Sequence, residues 1–281
     1  MENIYISNKE ELEKKIEKIK KDGAEKLQVV SDFDKTLTKS KIDGQKVSSV
    51  ISILRDEKYL TEDYSERAKD LFNFYHAFEV NKDMDWSERK NKMLEWWSKH
   101  YEVLKECGLS KGDLEAIIKS DRILFRDGYK DFFKALECLE IPLTIITANG
   151  LGGDVIKMIL ERFDIKSNKI HLIANEIIWN ETGYFVDVKK PIIHVLNKDE
   201  VIIENEKIKE NIKDRHNIIL LGDSEGDVNM VKNIEFTNII KIGYLNEKEE
   251  ELKDKYLKIF DVVITGDGGL DFVNDLLKQI N

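Results

Sequence analysis

Five short apolar runs constrain this chain more than any other feature. They are LQVVS from Leu27, LTIITA from Leu143, NIILLG from Asn217, TNIIKIG from Thr237 and FDVVIT from Phe260. A further short run spans Ile170 to Ala174. Segments of helical period separate them, and strands that alternate with helices build a parallel sheet wound on both faces. The expected fold class is α/β, with a Rossmann-like, doubly wound parallel sheet as its core.

One block breaks that rhythm. From Val47 to Ser120 the pattern is helical throughout, over about 75 residues. One helix carries Tyr64, Ala68, Leu71, Phe72, Tyr75 and Phe78 on a stripe; the next carries Trp86, Met93, Leu94, Trp97, Tyr101 and Leu104; a shorter one carries Leu114, Ile117 and Ile118. The block reads as an insertion packed over one end of the sheet. Residues 1–45 and 122–281 then form the core and residues 46–121 an all-helical cap. Elsewhere, Ser7 to Glu10 reads as a capping box opening a helix that ends near Gly23, Asn180 to Gly183 as a hairpin turn, and Asp199 to Ile212 as a helix.

With 281 residues, 41% of them hydrophobic, the chain can bury a full core. Its net charge of −10 disfavours nucleic-acid polymers and anionic membranes as partners. Two cysteines in unrelated contexts, Cys107 and Cys138, suit a reducing compartment. No run approaches the ~20 apolar residues that span a bilayer, and the N-terminus lacks a signal-peptide pattern. A soluble cytoplasmic protein is expected.

Chemistry concentrates where the strands should end, the side on which doubly wound sheets bind ligands. The first run stops in Asp32-Phe33-Asp34-Lys35-Thr36, the second in Thr147-Ala148-Asn149-Gly150, the third in Gly222-Asp223-Ser224-Glu225-Gly226-Asp227, and Lys198 precedes a helix. Each has an ordinary explanation alone: helix caps, turn chemistry, a solvated charge. Together they form one constellation. A hard divalent cation such as Mg²⁺ takes carboxylate oxygens along with substrate phosphate, and Asp32 and Asp223 can supply them. A carboxylate so placed can attack phosphorus, with charge repulsion offset by the metal, by Lys198 and by donors around Thr147. Asp34 can then protonate the leaving oxygen and later activate water.

This order of motifs resembles the haloacid-dehalogenase-like hydrolases. Asp32, Asp34 and Thr36 match the DxDxT opening, Thr147 the second motif, Lys198 the third, and Asp223 with Asp227 the fourth. The stretches DFDKTLT, HAFEV, MLEWWSKH, RDGYKDFF, IHVLNKD, NIILLGDSEGD and IIKIGYLNE narrow the resemblance to the cytosolic pyrimidine 5′-nucleotidases (5′-nucleotidase III). The resemblance implies a magnesium-dependent phosphatase of nucleoside 5′-monophosphates, with CMP and UMP preferred and methylated purines as an alternative. It implies Asp32 as nucleophile and Asp34 as acid/base. Metal contacts would come from Asp32, the Asp34 backbone carbonyl and Asp223; phosphate contacts from Thr147, Ala148 and Lys198. In the cap, Glu79 would accept hydrogen bonds from the base. Trp96 and His100, one helical turn apart, are candidates to face the cleft, Trp96 by stacking. Trp97 and Tyr101 are expected in the packing. The second motif departs from the family's Ser-Ala-Gly: here Asn149 precedes the glycines. Two other readings stand beside this one, a capped phosphatase acting on phosphoserine or a sugar phosphate, and a nucleotide-binding module without turnover.

Overall fold

The computed structural model describes residues 3–47, 49–81, 83–200 and 206–280. In chain order the elements begin with β1 (Ile4–Ile6), α1 (Lys9–Asp22), β2 (Leu27–Ser31), β3 (Lys41–Ile42) and β4 (Gln45–Lys46). Four helices follow: α2 (Val50–Asp56), α3 (Glu62–Val80), α4 (Trp86–Glu106) and α5 (Lys111–Ile117). Then come α6 (Tyr129–Cys138), β5 (Leu143–Ile146), α7 (Gly152–Arg162), β6 (Ile170–Ile173), β7 (Ile177–Trp179) and β8 (Phe185–Val188). The chain ends with α8 (Glu206–Ile212), β9 (Asn217–Gly222), β10 (Asn238–Tyr244), α9 (Glu249–Tyr256), β11 (Val262–Ile264) and α10 (Asp271–Lys278).

Seven strands form the main sheet in the order β1-β11-β10-β9-β2-β5-β6. All neighbours are parallel except β1, which runs antiparallel to β11. Every residue of β2, β5 and β9 is buried, as expected of central strands covered on both faces. Their apolar side chains fill two core layers, one around Val29, Ile145 and Leu221 and the other around Val30, Ile146 and Leu220. Strand order reverses about β2, so the ends of β2, β5 and β9 lie side by side at the switch point.

The inserted helices form the cap. α3 and α4 pack on each other and bury Tyr64, Ala68 and Tyr75 against Met93, Tyr101 and Leu104. Phe72 and Leu94, placed by their spacing on the apolar stripes, are instead more than a third exposed. The linkers to the cap pair with each other: Thr38 bridges Phe125, and the Lys39 amide donates to the Leu124 carbonyl at 2.9 Å. At its far end the cap is tied to the β7–β8 hairpin, where the Lys111 amide donates to Gly183 O and Tyr101 stacks on Phe185.

Three local readings need correction. Asn8, not Ser7, caps α1, its Oδ1 accepting from the Glu11 amide. The segment after Gly226, whose sequence reads as a helix, is a 3-10 helix, Glu225–Val231. The helix expected from Asp199 is described from Glu206 onward, and residues 201–205 lie outside the described residues.

The cap touches the core over the second strand-end loop. A Cβ added at Gly150 would overlap both the Trp97 ring and Ile51 Cδ1. Gly150→Ala should therefore lower stability by about 1–3 kcal/mol through overpacking. Urea unfolding would measure the loss, and tryptophan emission should shift if Trp97 is the ring displaced.

Candidate active site

At the end of β2 the chain turns sharply. The amides of Leu37 and Thr38 both donate to the Phe33 carbonyl, and Lys35 adopts a left-handed φ of 58°. This turn places Asp32 and Asp34 on one loop over the sheet. Asp32 is buried, and its Oδ1 accepts from Lys198 Nζ at 2.5 Å. The same ammonium donates to Asp227 Oδ1 at 2.9 Å. Asp227 is a local organiser: its Oδ2 accepts from the amides of Asp223 and Ser224 and from Ser224 Oγ. Oxygens of Asp32, Asp223 and Asp227 lie within 4.8 Å of one another.

Three carboxylates thus gather around one buried ammonium. Burial pushes Asp32 well above the usual carboxylate range; Lys198 opposes the shift, and Asp227 and Asp223 add to it. Burial, then Asp227, pushes Asp223 up to about 7, against the pull of Lys35, Lys198 and Arg126. Burial alone would depress Lys198, but Asp227 and Asp32 outweigh it and hold the ammonium above its ordinary value. The excess of buried negative charge is what a divalent cation relieves. Among the described residues no donor reaches the Asp223 carboxylate, which leaves its oxygens available as ligands. The donor set is all oxygen and fits Mg²⁺.

Asp34 stands slightly apart. Its Oδ2 accepts from Asn149 Nδ2 at 2.9 Å, and its Oδ1 from the Val50 amide at the start of α2 at 3.3 Å. Burial raises its pKa, partly offset by these two donors. Thr147 is buried at the end of β5, its Oγ1 accepting from the Asn149 amide at 3.2 Å. Ala148 lies against the core layer of Val30 and Ile146. Thr36 is fully buried and its hydroxyl has no hydrogen-bond partner.

In the cap, Glu79 and Trp96 come together through Phe72 and His76. His76 Nδ1 lies 2.9 Å from Glu79 Oε2, and the His76 ring stacks on Phe72 at 4.8 Å. Phe72 meets Trp96 edge-on at 6.0 Å. Glu79 raises the His76 pKa, opposed by burial and then by the Lys35 charge on the loop after β2. Trp97 and Tyr101 are packed, Trp97 against Gly150 and Tyr101 against Phe185. His100 is buried, with Nε2 3.2 Å from Tyr64 Oη, and burial pushes it down to about 4.

Sequence reading did not single out Asn149 as a partner of Asp34, or Arg126 as a partner of the catalytic loop. The departure from the second motif was the one signal for Asn149; a lone arginine after the cap gave none. A cavity of about 500 Å³ beside β6 includes none of the clustered residues, so the carboxylates rather than this hollow define the site.

Comparison with known proteins agrees with this geometry. Residues 35–281 match the pyrimidine 5′-nucleotidase (UMPH-1) family. This chain belongs to that family. It is 32% identical over 278 residues to the 7-methylguanosine phosphate-specific 5′-nucleotidase of Gallus gallus, covering 99% of this chain and 96% of that protein. Identity to the Mus musculus protein of the same name is 34% over 263 residues, 93% of this chain and 87% of that one. The crystal structure of cytosolic 5′-nucleotidase IIIB bound to cytidine superposes with a TM-score of 0.89 at 28% identity, covering 100% of this chain and 94% of that one. A phosphoserine phosphatase, at 20% identity and a TM-score of 0.53 over 91% of this chain and 99% of that one, shares the fold. The chain is a 5′-nucleotidase, a phosphoric monoester hydrolase. Among the described residues no helix is long and apolar enough to cross a membrane.

The raised Asp223 pKa has a consequence for the metal-free nucleotidase. A carboxyl that binds its proton more tightly when folded stabilises the fold at low pH, and that contribution is lost as pH rises. In EDTA the wild type should lose stability relative to Asp223→Asn between pH 3.8 and about 7. At pH 8, Mg²⁺ should raise the wild-type Tm and leave Asp223→Asn nearly unmoved. Thermal unfolding measures both.

Proposed function

We propose that this nucleotidase is a magnesium-dependent hydrolase of nucleoside 5′-monophosphates that works through an aspartyl phosphate on Asp32. The observation that carries the reading is the buried Asp32–Lys198–Asp227 arrangement, with Asp223 beside it and Asp34 on the same loop. Residues 46–121 serve as the cap that selects the base, and the enzyme acts in the cytoplasm.

Mg²⁺ would be held by the Asp32 and Asp223 carboxylates and the Asp34 backbone carbonyl, and when bound it supplies positive charge between the nucleophile and the phosphate. Lys198, Thr147 and the Ala148 amide receive the phosphoryl oxygens. Asp32 then attacks phosphorus in line. The P–O5′ bond breaks as Asp34 gives its proton to the leaving O5′, and the nucleoside departs. Asp34, now a carboxylate, takes a proton from water; the water oxygen attacks phosphorus, the Asp32–phosphorus bond breaks, and inorganic phosphate leaves. Burial raises the Asp34 pKa and so favours the protonated form that donates to the leaving group, while Asn149 opposes the rise. Asp227 orients Lys198 and the Asp223 amide, and Thr36 supports the loop from below.

The base lies against the patch of Phe72, His76 and Trp96, with Glu79 accepting from an exocyclic amine. Cytosine and 7-methylguanine both present such an amine next to a ring nitrogen. The methylated base also carries positive charge, which favours stacking on an indole. His100 backs this wall through Tyr64 and the Trp97 ring, 5.6 Å away. The names of the relatives support CMP and 7-methylguanosine 5′-monophosphate as substrates. A phosphoserine site would need a free cation for the substrate carboxylate, and Glu79 places an acid in this patch instead.

A phosphate-release panel over CMP, UMP, GMP, AMP, 7-methylguanosine 5′-monophosphate, phosphoserine and sugar phosphates tests the substrate class. Release is expected from the first and fifth; preference for phosphoserine or a sugar phosphate would overturn it. Asp32→Asn should fold normally and lose about 10⁴-fold or more in kcat, whereas retained turnover would exclude the covalent route. Asn149→Ala removes the side-chain donor on Asp34, so the acid's pKa rises and the basic limb of the kcat/KM profile should move to higher pH. A pH titration of kcat/KM checks the direction.

A further inference from the structure

Arg126 is the residue at which the chain re-enters the core from the cap. Its side chain is fully buried, and all five guanidinium N–H donors are used. Nε donates to Thr36 O at 2.8 Å, Nη1 to Asp267 Oδ1 at 3.1 Å and Gly268 O at 2.7 Å, and Nη2 to Lys35 O at 2.5 Å and Asn246 Oδ1 at 2.8 Å. Its face lies 4.0 Å from the centre of the Tyr244 ring. We propose that Arg126 is a positioning residue for the catalytic loop, and that Asp267 couples it to the cap's outgoing linker. The pair fixes Asp32–Thr36 at the pivot of the cap. The inference rests on the phosphatase reading above.

Two facts of physical chemistry favour this role over simple packing. Burying a guanidinium is costly, and here one carboxylate compensates it while most of its donors go to backbone carbonyls. Two of those carbonyls, Lys35 O and Thr36 O, directly follow Asp34. Lys35 also sits in a left-handed conformation, unfavourable for a residue other than glycine. Such a residue persists only where its surroundings over-determine it. Lys35 O receives both Arg126 and, at 3.0 Å, Asn246 Nδ2.

Asp267 extends the device to the other linker. Its Oδ1 accepts from the Ser40 amide at 2.7 Å and Ser40 Oγ at 2.9 Å, and its Oδ2 from the Lys41 amide at 3.2 Å. The Arg126 amide meanwhile donates to Leu37 O at 2.9 Å. Both linkers are therefore tied to the loop through one ion pair. The guanidinium also adds positive charge near Asp223, opposing its upward shift.

A built-in control exists at the opposite end of β2. Arg215 donates to Ala24 O at 2.9 Å, Leu27 O at 2.6 Å and Glu140 O at 3.1 Å, the same kind of clamp far from the chemistry. Arg126→Met, Arg126→Lys, Asp267→Asn and Arg215→Met would be compared for Tm, and for kcat and KM below each Tm, with CMP and with p-nitrophenyl phosphate, which has no base for the cap. Arg126→Met should lose about 100-fold in kcat on both substrates with KM little changed. Arg126→Lys, with three donors instead of five, should recover part. Asp267→Asn, which keeps a neutral acceptor and serves if Arg126→Met does not fold, should lose about tenfold. Arg215→Met should lower Tm and leave kcat unchanged. Wild-type kcat in folded Arg126→Met or Asp267→Asn, or a kcat loss in Arg215→Met matching theirs, would overturn the assignment. If the wild type releases no phosphate from either substrate, the phosphatase reading falls instead. Amide exchange over residues 33–41 then decides the positioning role: it should quicken in the Arg126 and Asp267 variants and not in Arg215→Met, and equal protection in all would refute it.

Discussion

Lys198 lies 2.5 Å from Asp32 and 2.9 Å from Asp227, with all three side chains buried. Removing any partner from such a group strands the others in a medium that solvates charge poorly. The fold bears this arrangement because each carboxylate is held by a different part of the chain. Asp32 comes from the end of β2, Asp223 from the end of β9, and Asp227 from the 3-10 turn that its own carboxylate caps. Parallel strands that finish at one level make that convergence geometrically simple. The same register brings Thr147, at the end of β5, beside them.

The ordering of this mouth extends upward into the cap. Asp34 accepts from the first amide of α2, so the start of the cap and the second carboxylate share a hydrogen bond. Trp97 rests where Gly150 leaves no Cβ, and Lys90 of α4 pairs with Glu200, two residues after Lys198, at 2.5 Å. These contacts reach three of the four strand-end features that carry the chemistry. The cap is thus fixed against the strand-end residues at atomic distance, the kind of contact that the proposed joint placement of a phosphoryl group and a base requires.

Much of this was legible in the sequence, and the reason is local. Central parallel strands read as unbroken apolar runs, and catalytic groups on such folds follow the runs directly, so Asp32, Thr147 and Asp223 could be placed on strand ends from residue order alone. Strand β1 could not: three residues at the N-terminus gain their identity by pairing with β11 across most of the chain. The period of α3 put Phe72 on the buried stripe because a partly exposed aromatic and a core-facing one can share the same spacing; only the packing of the helices tells them apart. Asn149 and Arg126 stayed hidden for a related reason. Their partners, Asp34 and the carbonyls after it, are far away in sequence, and no periodicity encodes a single long-range hydrogen bond.

The net charge of −10 sharpens what the site must do. A nucleotide dianion approaches a chain that repels it, so attraction has to be local and to strengthen only at the strand ends. Lys35 meets this need on the outer side of the loop: its charge acts on Asp34, Asp223 and His76 alike. Lys198 meets it inside, where two carboxylates keep it charged. Lys35 and Lys198 alone do not balance the carboxylates gathered at the strand ends, so a divalent cation bound among them would be what turns the local charge in favour of an anionic substrate.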